Sequence, residues 1–373
     1  MKPVVFILHI LPIELYPPII NLLKYERFNS LFSVTVITSY NNKNRLDFIS
    51  NSIRIKRLNY FGFSKNFLKK VFLLFWYNIA ALYSLLRQKP SIILYYEPHS
   101  SFPVYFYKRF INTRVDVFIH YHELYTKDDL DAKSMKSIKY FNDFERKYLY
   151  PKAKWISQTN RFRLAIFKEE NPNASSLALK VFPNYPPSHW NQKKFKLINN
   201  KVIRAIYFGA ISFENTYIRE VVSFFSKFPQ LIKLDIYSYN FHNDVEEYFR
   251  INTFDNIDFH KKGIDYFDIP KIALNYDLGL ILYKGHNLNY TYNAPNKLFE
   301  YLSCGLNVWF PIEILGCEPY VEVDSTPCVK RVDFNKINVE IISDHFESRK
   351  LSFKASSFSC ESEFDKLINS FLN

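Results

Sequence analysis

Short runs rich in apolar and β-branched residues alternate along the chain with helix-length stretches. In the first half, residues 4–10, 32–38, 53–58, 91–96, 115–120 and 155–158 read as strands, and 16–25, 66–88 and 135–150 as helices. In the second half, 203–208, 233–237, 257–259, 278–283 and 307–310 read as strands, and 217–228, 245–250, 269–275 and 295–303 as helices. Strand and helix taking turns predicts parallel sheets covered on both faces. Between the two series, three prolines (Pro183, Pro186, Pro187) precede a polar, lysine-bearing stretch, which predicts a linker over 188–201. The expected organisation is therefore two doubly wound α/β domains, 1–187 and 202–355. A helical segment over 356–373 is expected to cross back to the first domain. In such sheets ligands bind beyond the carboxyl ends of the strands.

Composition narrows the function classes. At 373 residues the chain exceeds one ordinary core, and 48% hydrophobic with 23% charged residues is a globular balance. Cys304, Cys317, Cys328 and Cys360 show no metal-ligand spacing and are expected to be reduced thiols. Glycine is scarce, and no GxGxxG or P-loop motif occurs, so the common dinucleotide and P-loop fingerprints are absent. Neither HExxH nor GxSxG is present, which disfavours zinc proteases and serine hydrolases, and no metal site is expected. The apolar run 71–86 is shorter than a membrane span and is expected to pack on a sheet or lie on a membrane. The apolar start leads into Glu14 without a small-residue cleavage site, so it reads as a strand, with a cytoplasmic address expected.

Charge changes the picture further. Of the net +13, residues 1–190 carry +15 and residues 191–373 carry −2. In the first half the basic residues are interleaved with aromatics, as over 60–72 and 105–110. Ring and cation together suit the headgroup zone of a membrane. The expected partner is an anionic membrane surface rather than nucleic acid, placing the protein peripherally on the inner face of the cell membrane.

The most informative segment is Tyr292-Asn-Ala-Pro-Asn-Lys-Leu-Phe-Glu-Tyr-Leu-Ser-Cys-Gly305. Pro295 suits the first position of a helix over 295–304 and Gly305 its C′ position. The free amides and positive dipole end of that helix form an anion site, to which Lys297 adds charge. Asn296, Lys297 and Glu300 share a face, where a carboxylate can accept both hydroxyls of a ribose.

This segment resembles the donor-site helix of group 1 glycosyltransferases, in the PNKxxEYxxxG form of bacterial surface-polysaccharide members. Ile119-His-Tyr-His-Glu-Leu-Tyr125 is similar to the family's DxHE element, with His120 in place of Asp. Residues 144–157 and Val181-Phe-Pro-Asn-Tyr-Pro-Pro187 resemble the segments before and at the domain crossover, where Asn184 is expected to cap the turn rather than to contact a ligand. Tyr207-Phe-Gly-Ala-Ile211 and Tyr276-Asp-Leu-Gly-Leu-Ile281 resemble second-domain strands.

The resemblance implies a GT-B fold, two Rossmann-like domains facing a central cleft. It also implies a metal-independent, retaining hexosyltransferase with a nucleotide-diphosphate sugar as co-substrate, no cofactor, and a lipid-linked glycan acceptor. By residue it implies His122 and Glu123 at the reaction centre. Gly209, Ala210, Ser212, Lys262, Gly263, Asn293, Pro295, Asn296, Lys297 and Glu300 are implied at the donor. The strand-end residues His9, Glu97, His99 and His120 are assigned to the acceptor. Two departures stand out: Tyr292 occupies the place of the family's first glutamate, and Ala210 that of an arginine. Two other classes are carried alongside, a sugar-nucleotide epimerase of the same fold and a non-catalytic binding protein that retains it.

Overall fold

The computed structural model describes residues 2–41, 47–59, 62, 64, 66–132, 135–192 and 201–373. It forms two compact units, 1–183 with 360–373, and 184–359.

The first unit is built on seven parallel strands: β1 (Val4–His9), β2 (Ser33–Ser39), β3 (Arg54–Leu58), β4 (Ile92–Tyr96), β5 (Asp116–His120), β6 (Trp155–Gln158) and β7 (Leu179–Val181). Their helices are α1 (Pro17–Lys24), α2 (Glu26–Leu31), α3 (Phe67–Gln88), α4 (Ser101–Phe110), α5 (Lys127–Leu130), α6 (Lys136–Tyr148) and α7 (Arg161–Glu170). The strand order is β3-β2-β1-β4-β5-β6-β7. The central strand β4 is buried along its whole length, which is why it reads as a continuous apolar run rather than an alternation. Phe6, Ile93 and Val117 of the sheet join Tyr77, Ala81 and Leu85 of α3 and Tyr107 of α4 in one core. Chain direction across the sheet reverses between β1 and β4, so the loops after those strands diverge there.

The second unit has six parallel strands: β8 (Ile203–Phe208), β9 (Ile232–Tyr237), β10 (Ile257–His260), β11 (Leu278–Leu280), β12 (Asn307–Pro311) and β13 (Val329–Val332), in the order β10-β9-β8-β11-β12-β13. Its helices are α8 (Ile218–Phe225), α9 (Asn243–Ile251), α10 (Ile269–Ala273), α11 (Leu288–Thr291), α12 (Asn296–Ser303) and α13 (Glu340–Ser348). Here the reversal falls between β8 and β11. Helix α12 is seated on that point through Tyr301, whose ring lies against buried Gly279 of β11; a Cβ at 279 would meet the ring at 2.3 Å. The Tyr301 hydroxyl points at the Ile206 and Leu280 carbonyls, 3.4 Å from each. Gly279→Ala is therefore expected to lower unfolding stability by about 1–3 kcal/mol through overpacking, read as a lower urea midpoint at unchanged slope.

The last helix, α14 (Cys360–Leu372), packs in the first unit. Phe371 sets its ring edge-on to Phe118 at 4.5 Å, and the Tyr25 hydroxyl donates to Asp365 at 2.8 Å.

Several features differ from the sequence expectation. The short strands β7 and β13, only three and four residues long, and helices α4, α7 and α13 were not expected from the pattern; among those helices the amphipathic signal is weak only in α7. Strand β11 stops at Leu280, and Tyr283 instead bridges antiparallel to Thr216. The chain leaves the first unit after Pro183. Residues 188–192 already belong to the second unit, with Trp190 buried against Tyr266 at 4.8 Å and the Gln192 amide donating to the Ser303 carbonyl at 2.9 Å. Of the expected linker, 193–200 lie outside the described residues, as do 60, 61, 63 and 65 of the aromatic-basic stretch. All four cysteines are free and buried. Among the described residues no helix is long and apolar enough to cross a membrane.

Candidate functional site

In the second unit, the loop after β8 and helix α12 meet at the reversal point. Gly209 follows β8 with φ +140, a conformation L side chains rarely adopt. A Cβ there would lie 2.5 Å from Lys297 Nζ and 2.7 Å from its Cε, so the glycine makes room for the ammonium. Lys297 is buried; its Nζ donates to the Tyr283 hydroxyl and sits 4.4 Å from the Tyr283 ring centroid and 5.2 Å from that of Tyr207. Two electron-rich ring faces thus hold a cation that makes no salt bridge among the described residues.

Pro295 is the N-cap of α12, one position before the expected N1, because its ψ of 152° is extended; Asn296 is the first helical residue. Among the described residues no side chain caps this end, which leaves its leading amides to a ligand. At the other end Gly305 takes φ +77, as the C′ position requires.

Glu300, one turn beyond Lys297, is also buried. Burial lifts its carboxyl to about 7, against the pull of the Lys297 charge. Lys297, Glu300 and Gly209 form the grouped part of the expected donor site.

The other donor residues serve the surrounding loops. The exposed Ala210 accepts the Tyr207 hydroxyl on its carbonyl at 2.7 Å. Ser212 Oγ accepts the backbone and side-chain N–H groups of Asn215 at 3.0 and 2.9 Å, tying the turn into α8. Asn293 lays its backbone on Gly316, where a Cβ would meet its carbonyl oxygen at 2.3 Å. Gly263, at φ +62, lies under the Tyr239 ring, and Lys262 is exposed beside it after β10.

In the first unit, parallel pairing sets His9 against Tyr96 and Tyr96 against His120, a row across the carboxyl ends of β1, β4 and β5. His122, two residues past β5, is stacked between Tyr16 (4.6 Å, 28°) and Tyr96 (5.2 Å, 8°). It meets His9 and His120 edge-on at 5.9 and 5.0 Å. His9 Nδ1 donates to the Leu11 carbonyl at 2.6 Å. His120 Nδ1 is 2.8 Å from Ser157 Oγ, which itself donates to the Ile119 carbonyl, so this nitrogen too is the donor. In all three rings Nε2 is buried without a hydrogen-bond partner among the described residues.

Burial drives these imidazoles to their neutral form: His9 to about 4, His120 to about 3, and His122 well below its ordinary value, helped by its two histidine neighbours. They are neutral hydrogen-bonding groups at pH 7, with the bare Nε2 of His9 and His120 as acceptors. Among the described residues no group of three His, Cys, Asp or Glu is arranged to hold a metal ion.

The His122 backbone is clamped from both sides. Glu97, with the unusual φ of +62, accepts the His122 amide at 3.0 Å on one oxygen and the Tyr125 hydroxyl at 2.5 Å on the other. Buried Arg163 donates to the His122 carbonyl at 2.8 Å. Burial raises the Glu97 carboxyl to about 7, against its two hydrogen bonds. Glu97 thus positions His122. Glu123 is half exposed, 3.9 Å from Arg163. His99 turns onto α6, its ring 5.1 Å from that of Phe141, and burial lowers it to about 4.

Tyr16, Tyr96, Arg163, Tyr207 and Tyr283 were not singled out by the sequence. Their one linear signal is the placement of Tyr96 and Tyr207 at strand ends; the rest depends on register and on loop return.

No protein-family model and no curated protein sequence matches the chain. Solved structures do. The chain is similar to sucrose-phosphate synthase from Thermosynechococcus elongatus (TM-score 0.69, 13% identity, covering 100% of this chain and 98% of that one). It is similar to HepE from Anabaena in complex with UDP and glucose (0.64, 10%, 100% of both chains). It is also similar to a UDP-N-acetylglucosamine 2-epimerase (0.59, 13%, 100% and 96%). With its two parallel-sheet units, the chain has the GT-B fold.

Proposed function

We propose that this protein is a glycosyltransferase that moves a hexose from a nucleoside-diphosphate donor to a hydroxyl of a lipid-linked bacterial surface glycan at the cytoplasmic face of the membrane. The observation that carries the reading is the grouping of Gly209, Lys297 and Glu300 at the β8/β11 reversal point. The α12 amides and Lys297 bind the diphosphate, Gly209 lets its oxygens approach the backbone, and Glu300 accepts the ribose hydroxyls. As the bond from the anomeric carbon to the diphosphate oxygen breaks, charge grows on that oxygen, and Lys297 with the amides stabilises it without a required metal. The neutral histidine row, led by His122, binds sugar and acceptor hydroxyls. The family resemblance assigns retention at the anomeric carbon, and Tyr292 supplies a phenol where the first glutamate of relatives would contact the sugar.

The test is release of the nucleotide from a panel of UDP- and GDP-linked sugars, with CMP-linked sugars, which can leave only a monophosphate, as the contrast, each with and without a lipid extract carrying the glycan acceptor. Release that needs both is expected. The likeness to a UDP-N-acetylglucosamine 2-epimerase favours a second reading, and conversion of the donor alone into a soluble sugar would establish that one instead.

Glu300 gives the donor site a pH signature. A carboxylate that accepts two hydroxyls binds the donor only when ionised, and in the empty site it takes up a proton at about pH 7. Donor affinity is expected to rise with pH and level off above about 7, and Glu300→Gln to flatten the profile while weakening binding, as read by calorimetric titration. A wild-type profile that falls with rising pH would remove Glu300 from the donor.

A further inference from the structure

Helix α3 buries Tyr77, Ala80, Ala81, Ser84 and Leu85 against the first unit, and its opposite face is apolar as well. Phe67, Leu68, Phe72, Phe75, Trp76 and Tyr83 are each 52–76% exposed. Beside it, packed on α3, helix α4 presents Phe106 and Phe110, the latter 66% exposed. Single exposed apolar residues are ordinary, but a contiguous aromatic face across two helices marks an interaction surface.

The charge carried by the two helices is of one sign. Neither α3 nor α4 contains an acidic residue. Lys69, Lys70, Arg87 and Arg109 have no carboxylate partner among the described residues. Next to Phe110, a recess of about 80 Å³ is lined by Tyr105, Lys108, Arg109, Tyr148 and Lys152. Lys108 is held there by the Val115 carbonyl at 2.7 Å, and burial with the nearby Lys152 and Lys154 lowers its pKa, offset only in part by Asp116. Lys154 is neutralised by Asp116 at 2.8 Å, whereas Arg109 and Lys152 face no carboxylate among the described residues.

We infer that the outer face of α3 and α4 docks on an anionic bilayer, its aromatic rings entering the headgroup boundary while the Lys108–Arg109–Lys152 recess takes a lipid phosphate. A helix of 22 residues spans about 33 Å, enough to lie along the interface as an in-plane anchor. A second copy of this chain is the poorer occupant. Isologous pairing would set Lys69, Lys70, Arg87 and Arg109 against their own symmetry mates with no acid to separate them. A bilayer of anionic lipid satisfies rings and cations together. The inference takes up the membrane-bound acceptor of the proposed function but not its chemistry: nucleotide binding with no vesicle binding overturns this surface alone, and vesicle binding with no nucleotide binding overturns the transferase alone.

The test uses the full chain with vesicles of phosphatidylcholine alone or mixed with phosphatidylglycerol. Trp76 is the exposed tryptophan, since Trp155, Trp190 and Trp309 are all buried. Its emission should shift to the blue and be quenched by brominated acyl chains on the anionic vesicles, and flotation should follow the same lipid dependence. Arg109→Glu with Lys152→Glu should cut binding about tenfold or more and remove the preference for the anionic lipid. Phe72→Ser with Phe75→Ser, both at exposed positions, should abolish the Trp76 shift. Free inorganic phosphate should not compete. Equal partitioning onto neutral vesicles, an unmoved Trp76 spectrum, or a stable dimer whose contact hides Trp76 would each overturn the docking surface.

Discussion

Lys297→Ala is expected to lower turnover by about 10²–10³-fold and to weaken nucleoside-diphosphate binding with it. The magnitude follows from the surroundings. The ammonium is buried, held by the Tyr283 hydroxyl and two tyrosine rings, and forms no salt bridge among the described residues, so its charge is little screened by water and only partly offset by the Glu300 carboxyl one turn away. Free enzyme already holds it in place, and little reorganisation is needed when charge appears on the leaving oxygen. Lys297→Arg should recover little, because a planar guanidinium does not fit the space above Gly209. Steady-state rates with the preferred donor decide this; a variant within about threefold of wild type would show that Lys297 serves only the fold.

Gly209→Ala is expected to produce nearly the same functional loss from the opposite side of the contact. Its added carbon would lie 2.5 Å from Lys297 Nζ, and φ +140 is a backbone state that alanine adopts at a cost of about 1–3 kcal/mol. The lysine must move, the loop must move, or both, so a lowered Tm should accompany the loss of turnover. The two substitutions share one cause and should not add. In a Lys297→Ala background the side-chain clash is gone, and Gly209→Ala should then cost less activity than in wild type, leaving the poorer approach of the diphosphate to the backbone and the strain in Tm. Full additivity in a double-mutant cycle would mean that the glycine and the lysine act at different places.

How much of this was legible in the sequence depends on the range of the interaction that fixes each part. The central strands announce themselves because β4 is buried on both faces and must be apolar throughout. Helix α12 is legible because local chemistry bounds it, an extended proline at one end and a positive-φ glycine at the other. Lys297 and Glu300 came with it. The sandwich of His122 between Tyr16 and Tyr96 was not legible, since it arises only when β4 is paired with β1 and β5 in one register and the loop after β1 folds back. The clamp that Glu97 makes, one oxygen on the His122 amide and the other on the Tyr125 hydroxyl, is not legible either; nothing linear signals a positive φ at a glutamate. The apolar run of α3 was legible as too short to span a membrane, but which of its faces is covered required the structure.

The claim on which the rest depends is that Gly209, Lys297 and Glu300 grip a nucleoside diphosphate. Calorimetric titration of UDP, GDP and CMP into wild type, Lys297→Ala and Glu300→Ala tests it most directly. The account predicts one nucleotide binding per chain to wild type, at least tenfold weaker binding to each variant, and unchanged unfolding transitions in the absence of ligand. Equal affinity of the best nucleotide for all three proteins would contradict it.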